Sequence, residues 1–356
     1  MNRLHVKDMA PVLHPWSTAP EPGSVQEVAP DVFWIRIALP MVLDHVNCYA
    51  LDDGDGWTIV DTGFDTETTR QAWEAVLSGP LGGRPVRRLI VTHHHPDHIG
   101  LAGWFRSAFG AEIWTSRTSW LYARMLSLDT QEAVVPETLA FWRAAGMEAS
   151  ELERRAAERP FNFADIMAPL PLGYRRMVEG DTIRAAGRDW VVRMGEGHGP
   201  EHVTLWSEDN TLVIAGDQIL SGITPNIGVH ATEPEANPLA EWLSACSRLA
   251  ACARDSHLVL PGHKLPFTGL PRRLAEMQAN HDAALERLRA LLREPKTAVE
   301  CFPALFRRRI DRRTLGLALV EAVAHLNYLN GLGEVQRHMR DDGVALWRLR
   351  DATGRS

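Results

Sequence analysis

The segment Thr92-His93-His94-His95-Pro96-Asp97-His98-Ile99-Gly100 puts four histidines and one aspartate into six consecutive residues. Neutral imidazoles offer nitrogen lone pairs to borderline metals such as zinc, and a carboxylate adds charge compensation. The segment follows an apolar strand-like run and opens a helical one. A tight turn at the strand end lets His93 and His95 point the same way. Asp97 and His98 sit past the bend, facing a second ion beside the first. His94 fills the position between and stays outside the donor set. Three later segments each place one donor next to glycine after a strand-like run: Gly197-His198-Gly199, Ala215-Gly216-Asp217 and Pro261-Gly262-His263. Glycine lets the backbone turn sharply and approach a metal closely. All these donors are expected on one sheet edge.

In this order, His93-x-His95-x-Asp97-His98, His198, Asp217 and His263 resemble the metallo-β-lactamase superfamily, and the Asp61-Thr62-Gly63 turn matches its first motif. The match runs from about Val32 to Lys264. The resemblance implies an α+β fold, a four-layer αββα sandwich with a dinuclear site at its edge. It implies His93, His95 and His198 around one ion, Asp97, His98 and His263 around the other, and Asp217 bridging them. Asp61 then holds a ligand imidazole through its other nitrogen. Two divalent ions are expected, zinc first, with iron and manganese able to take the same donors. Two ions roughly 3.5–4 Å apart share one water, and zinc lowers the pKa of that water to about 7. The resulting hydroxide attacks a carbonyl or phosphoryl centre. Asp97, the catalytic candidate, steers it or accepts its proton.

Asp217 stands where the β-lactam-hydrolysing branch commonly uses a cysteine. With His98 present, the pattern is closer to the glyoxalase II-like hydrolases. An enzyme is therefore expected, a dinuclear hydrolase of an acyl thioester or ester with a small-molecule acyl substrate. The alternative is a phosphodiesterase or endoribonuclease, because the C-terminal segments resemble the winged-helix tail of the β-lactamase-like endoribonucleases. Arg307-Arg308-Arg309 with Arg312 and Arg313 adds to that alternative. Asp311 interrupts the run and no aromatic platform is interleaved, so nucleic acid is not the favoured partner. His230, Tyr122 and Tyr174 are the candidate substrate contacts, while His202 is read as bonding a backbone group.

The elements that must carry these residues follow from the pattern. Residues 1–28 read as a proline-rich arm. Residues 29–270 read as the catalytic domain. Strands are expected at Val32–Leu39, Val46–Leu51, Trp57–Val60, Arg88–Thr92, Thr182–Ala185, Trp190–Met194, Val203–Trp206, Leu212–Ala215 and His257–Leu260. Four in each half, with His257–Leu260 as a last strand, suggest two related sheets. Residues 116–175 read as a helical insertion, either extra packing or a lid. Residues 271–356 read as a small helical, winged-helix-like domain ending in a hairpin about Asp341-Asp342-Gly343.

The 356 residues carry 38 Lys and Arg against 45 Asp and Glu, a net charge of -7, with a pI near 6.1. That excludes a uniformly basic nucleic-acid binder. The charge is uneven: residues 271–356 hold 16 Lys or Arg against 11 Asp or Glu. The four cysteines form no paired motif, which points to free thiols. No apolar stretch follows Arg3 and Lys7, so a cytoplasmic protein without a membrane span is expected. A homodimer through the C-terminal helices is the expectation by analogy.

Overall fold

The computed structural model describes residues 9–350. The chain forms two compact units. One comprises Met1–Thr130, Asn162–Pro225 and Arg248–Leu274; the other comprises Gln131–Phe161, Asn226–Ser247 and Ala275–Ser356. In the first unit, β1 (Val25–Ala29), β2 (Val32–Ala38), β3 (His45–Asp52), β4 (Trp57–Val60), β5 (Val86–Ile90), β6 (Glu112–Thr115) and β7 (Arg175–Arg176) make a seven-stranded sheet in that order. A five-stranded sheet runs β12 (Leu258–Pro261), β11 (Leu212–Gly216), β10 (His202–Ser207), β9 (Arg188–Gly195) and β8 (Thr182–Ala185).

Strand alternation explains how the sheets stack. Val32, Trp34, Tyr49, Leu51, Val60 and Ile90 point to one face and meet Ile183, Trp190, Val192, Leu205 and Ile214 of the second sheet. The intervening residues Ile35, Ile37, Cys48, Ala50, Ile59 and Leu89 point to the opposite face. There they pack on the apolar sides of α1 (Glu67–Ser78), α2 (Pro96–Ile99), α3 (Ala102–Phe109) and α4 (Arg117–Leu128). A sheet covered on both faces buries its residues on both sides and reads as mostly apolar runs; β4, β10 and β11 are buried throughout, Thr58, His202, Thr204 and Ser207 included. The α+β, four-layer αββα fold expected from the sequence is the fold observed.

The first sheet has seven strands rather than the expected four, because β1, β6 and β7 join it, and the second has five, the last expected strand at His257–Leu260 being its β12. The chain enters the first sheet at Val25, inside the arm assigned to residues 1–28, with Val25 opposite Ile35 and Gln26 opposite Trp34. Earlier arm residues also pack: Trp16 meets the Trp34 ring edge-on, and Leu13 bridges to Thr268. Residues 1–8 of the arm lie outside the described residues.

The second unit contains α5 (Pro136–Ala144), α6 (Ala149–Ala156), α9 (Phe302–Leu305), α10 (Leu315–Gly331) and a hairpin of β13 (Val335–Met339) and β14 (Ala345–Leu349). Helices α7 (Pro238–Cys252) and α8 (Leu270–Leu291) each contribute residues to both units. The insertion assigned to residues 116–175 is therefore not one body. Its first helix, α4, belongs to the sandwich. Residues 131–161 belong to the second unit, where the Val299 N–H donates to Ala145 O at 3.0 Å. Among the described residues, no helix is long and apolar enough to cross a membrane, and all four cysteines are free.

Candidate metal centre

The donor residues sit where strands end. Strands β4 and β5 run parallel in one sheet, as do β11 and β12 in the other. Asp61, His93, Asp217 and His263 each follow one of these strands, and His198 follows β9. Pro96 stops the extended chain after β5 and starts α2, with its ring at the first helical position, where no amide donor is needed. The Asp61-Thr62-Gly63 turn holds the result in place. Thr62 Oγ1 donates to His98 O at 2.9 Å and accepts from the Leu101 N–H at 3.0 Å, while the Gly63 N–H donates to Asp97 O at 3.0 Å.

Two groups of donors with no residue in common emerge, and His93, His98 and Asp217 form a third that joins them. His93 Nε2 lies 2.9 Å from His95 Nδ1 and 3.2 Å from His198 Nε2, and the latter two are 3.1 Å apart. Asp97, His98 and His263 form the other group: His263 Nε2 is 3.3 Å from Asp97 Oδ2, and His98 Nε2 is 3.6 Å from the same oxygen. The Asp217 carboxylate reaches both. It is 3.5 Å from His198 Nε2, 3.4 Å from His98 Nε2 and 3.2 Å from His263 Nε2. A Cβ at Gly262 would overlap Asp217 Oδ1, so only glycine leaves room for that carboxylate.

Hydrogen bonds behind the donors set which nitrogen faces inward. His93 Nδ1 donates to Thr92 Oγ1 at 3.0 Å, and that hydroxyl donates to Asp61 Oδ2 at 2.8 Å. His98 Nδ1 donates to the same Asp61 oxygen at 2.8 Å, and Asp61 Oδ1 accepts the Thr92 N–H at 2.8 Å. His263 Nδ1 donates to His45 O at 2.6 Å. Each bond leaves an Nε2 lone pair directed at the cluster when the ring is neutral.

Electrostatics agree with a cationic occupant. Burial, reinforced by neighbouring imidazoles, holds His93 and His95 well below the usual histidine range. Burial also opposes charge on His98 and His263, but the carboxylates of Asp217 and Asp97 prevail. His98 is held well above its ordinary value and His263 is pushed up to about 10. Against burial, His263 and His98 hold Asp217 well below the carboxylate range, and His98 and His263 hold Asp97 down. Three mutually facing imidazole nitrogens cannot all satisfy one another by hydrogen bonds. Their spacing gives a circumscribed radius of about 1.8 Å, just under a zinc–imidazole distance of roughly 2.0–2.1 Å. Buried His98 Nε2 and Asp217 Oδ1 also lack a hydrogen-bond partner among the described residues. The donors fit divalent cations.

The structure brings His93, His95, Asp97, His98, His198, Asp217, His263 and Asp61 together. Tyr122 reaches the rim, its ring 5.3 Å from that of His94. Tyr174 stacks on Trp120 at 4.8 Å and packs on the first core. His230 is exposed and belongs to the second unit. Supporting residues outside the motifs are Thr92, His45, Asn47 and His202. His202 Nε2 accepts the Asp217 N–H at 3.1 Å, and its ring stacks on His93 at 4.5 Å. Asn47 brackets the His263 turn, donating to Pro261 O at 2.9 Å and Lys264 O at 2.7 Å while accepting from Trp34 Nε1 at 2.8 Å.

Asp61→Ala is expected to weaken metal retention about 10–100-fold, as loss of such supporting partners does, with a smaller effect on turnover at saturating metal. Asp61 has φ +60°, a conformation that asparagine adopts at less cost than alanine. Asp61→Asn should therefore recover part of the loss. Metal titration of both variants checks this, and unchanged retention in Asp61→Ala would remove the role.

Comparison with known proteins gives the same picture. The profile of the Metallo-beta-lactamase superfamily matches residues 41–291, and that of the metallo-beta-lactamase-like C-terminal domain matches residues 285–350. A crystal structure of a beta-lactamase domain protein from Burkholderia ambifaria is 37% identical, with a TM-score of 0.87 over 95% of this chain and 98% of that one. A probable metallo-hydrolase of Bacillus subtilis is 25% identical over 84% of this chain and 92% of its own. A hydroxyacylglutathione hydrolase of Pseudomonas entomophila is 27% identical over 57% of this chain and 71% of its own. With its sheets, its edge donors and these likenesses, the chain belongs to the metallo-β-lactamase superfamily and is a metallo-hydrolase.

Proposed function

We propose that this metallo-hydrolase cleaves an acyl thioester or ester at a two-ion site. The observation that carries the reading is the position of Asp217, one carboxylate within 3.5 Å of imidazoles in both donor groups. His93, His95 and His198 would hold one ion and Asp97, His98 and His263 the other, with Asp217 placed to reach both. Zinc suits this mixed imidazole and carboxylate set best. When bound, the ions supply an acidified water and polarise the scissile carbonyl.

The chain's own residues do the rest. Asp61 and Thr92 hold the His93 and His98 rings with their Nε2 atoms inward. His45 and Asn47 fix the His263 turn. Asp97 is the most accessible carboxylate of the set, its side chain 16% exposed against 8% for Asp217 and 3% for Asp61. It stays ionised at neutral pH and is the group placed to take a proton from the attacking water. The hydroxyacylglutathione hydrolase likeness supports an acyl thioester as the substrate class.

The test is thioester hydrolysis by the metal-loaded protein, with Asp97→Ala alongside. Turnover is expected in the parent and should fall about 10²–10⁴-fold in the variant, the range for a positioned acid–base group. No turnover at full metal occupancy would reject the acyl reading. The phosphodiester reading would then lead, supported by exposed Arg307, Arg308 and Arg309.

A further inference from the structure

His198 comes to the donor cluster on a hairpin loop. Strand β9 ends at Gly195, and β10 begins opposite it at His202. Residues 196–201 join the two strands and carry His198 between them. His198 belongs to the donor group of His93 and His95, and the group of Asp97, His98 and His263 takes nothing from this loop. The shape of the loop therefore bears on one donor group far more than on the other.

Glu201 closes the loop twice. Its N–H donates to Glu196 Oε2 at 3.0 Å, which ties the last loop residue to the first. Its own Oε2 accepts the Thr118 N–H at 2.7 Å, in the first turn of α4. Beside it, Ser119 Oγ donates to Pro200 O at 3.2 Å. Helix α4 is a firm anchor, because Trp120 and Ala123 are buried in the first core.

Neither the turn nor the helix accounts for a glutamate here. Glu201 has φ +47°, where glycine sits at no steric cost and a residue with a side chain is held under strain. The helix start already has a cap, since Ser116 Oγ accepts the Ser119 N–H at 3.3 Å. Against its burial, the Thr118 hydrogen bonds and the charges of Arg176 and Arg117 hold the Glu201 carboxyl below its usual range. It is ionised at neutral pH, and a carboxylate on a backbone N–H makes the stronger, charge-assisted kind of bond.

We propose that Glu201 is a positioning residue for His198: by clasping the loop to Glu196 and to α4 it sets this imidazole against His93 and His95. The inference rests on the two-ion reading of the centre and is independent of the substrate. Glu201 touches neither ion, so its loss should act on the two ions unequally.

The test titrates cobalt(II) into the metal-stripped full chain, reading ions bound and the visible absorption spectrum. It compares parent, Glu201→Ala, Glu201→Gln, Glu201→Gly and His198→Ala. The parent should bind two ions. Glu201→Ala should weaken one of them about 10–100-fold, the range for residues that hold a ligand in place, and leave the other unchanged. The spectrum of the ion that remains should match that of the ion left in His198→Ala. Glu201→Gln still presents an oxygen to Thr118 and should restore most of the loss. Glu201→Gly relieves the backbone without replacing the bond and should stay weak. Equal weakening of both ions overturns the proposal, as does a Glu201→Gln variant no better than Glu201→Gly. Parent-like binding in Glu201→Gly overturns it too, since backbone conformation would then be the whole effect. If the parent takes up one ion, the two-ion reading fails. The clasp then stands if that ion is weakened in Glu201→Gly and restored in Glu201→Gln, and falls if it is not.

Discussion

Asp217→Ala is expected to empty both halves of the metal centre at once. Among the described residues, no other carboxylate lies within 3.5 Å of imidazoles of both groups: His198 at 3.5 Å on one side, His98 at 3.4 Å and His263 at 3.2 Å on the other. The carboxylate also compensates charge that the fold has buried. His98 and His263 are fully enclosed, and Asp217 is the foremost cause of their raised pKa values. Stripping one partner from such a buried arrangement costs about 3–5 kcal/mol when the remaining charge is left uncompensated. Loss of metal affinity should exceed the roughly 10–100-fold typical of residues that only support a ligand. Metal analysis after dialysis should find close to two ions per chain in the parent and few or none in the variant, with hydrolysis lost in parallel. Holding metal also stabilises the folded form by linkage, so the parent's melting temperature should rise with added zinc and the variant's should not. Two retained ions in Asp217→Ala would show that Asp217 does not join the sites.

What the sequence makes legible is what is local. His93 to His98 lie together in one turn. His198, Asp217 and His263 each stand beside a glycine at the end of an apolar run. The C-terminal hairpin was readable from the Asp341-Asp342-Gly343 turn, and β13 and β14 flank it. The supporting residues have no such signature. Asn47 and His45 are ordinary strand residues in β3, and they matter because they bond the His263 turn of the other sheet, the Asn47 N–H to Gly262 O at 2.7 Å and His45 O from His263 Nδ1 at 2.6 Å. His202 looked like a lone histidine bonding some backbone group; that the group is the Asp217 amide depends on how β10 aligns with β11. Strands β6 and β7 escape notice because they are short parallel additions with no hairpin turn to announce them. The makeup of the second unit is hidden for a similar reason. Residues 131–161 and 226–247 join it through long-range bonds, such as Asn226 Nδ2 to Glu321 Oε2 at 2.8 Å and Asn327 Nδ2 to Pro234 O at 2.9 Å, and no local pattern encodes a partner so far along the chain.

Acid should destabilise the second unit through two buried histidines that the metal centre does not use. His325 Nδ1 donates to Glu321 O at 2.8 Å, so its Nε2 is an acceptor. His281 Nδ1 donates to it at 3.2 Å, which leaves His281 Nε2 as a bare lone pair near the buried Trp242 ring. Both rings are thereby held neutral. Burial, with His325 adding repulsion, pulls His281 down to about 3; burial pulls His325 to about 4 despite the Glu321 carbonyl. Their ordinary value is 6.5, so the unfolded chain binds more protons than the folded one below that pH. Stability then falls as pH drops, by up to about 1.4 kcal/mol per pH unit for each histidine. Glu321 acts in the opposite sense. Burial lifts it to about 7, so the folded form gains a proton earlier and is favoured between pH 7 and 4.5. One histidine is offset in that range. The net loss from pH 6.5 to 4.5 is about 3 kcal/mol, and it steepens below 4.5, a large share of a domain's roughly 5–15 kcal/mol. Hydrogen exchange of the α8 and α10 segments across pH 4–7 reads this directly. His281→Phe keeps a ring in place and should flatten the profile above pH 4.5, whereas Glu321→Gln removes the offset and should steepen it. Identical profiles in parent and both variants would show that these groups do not set the acid sensitivity of the unit.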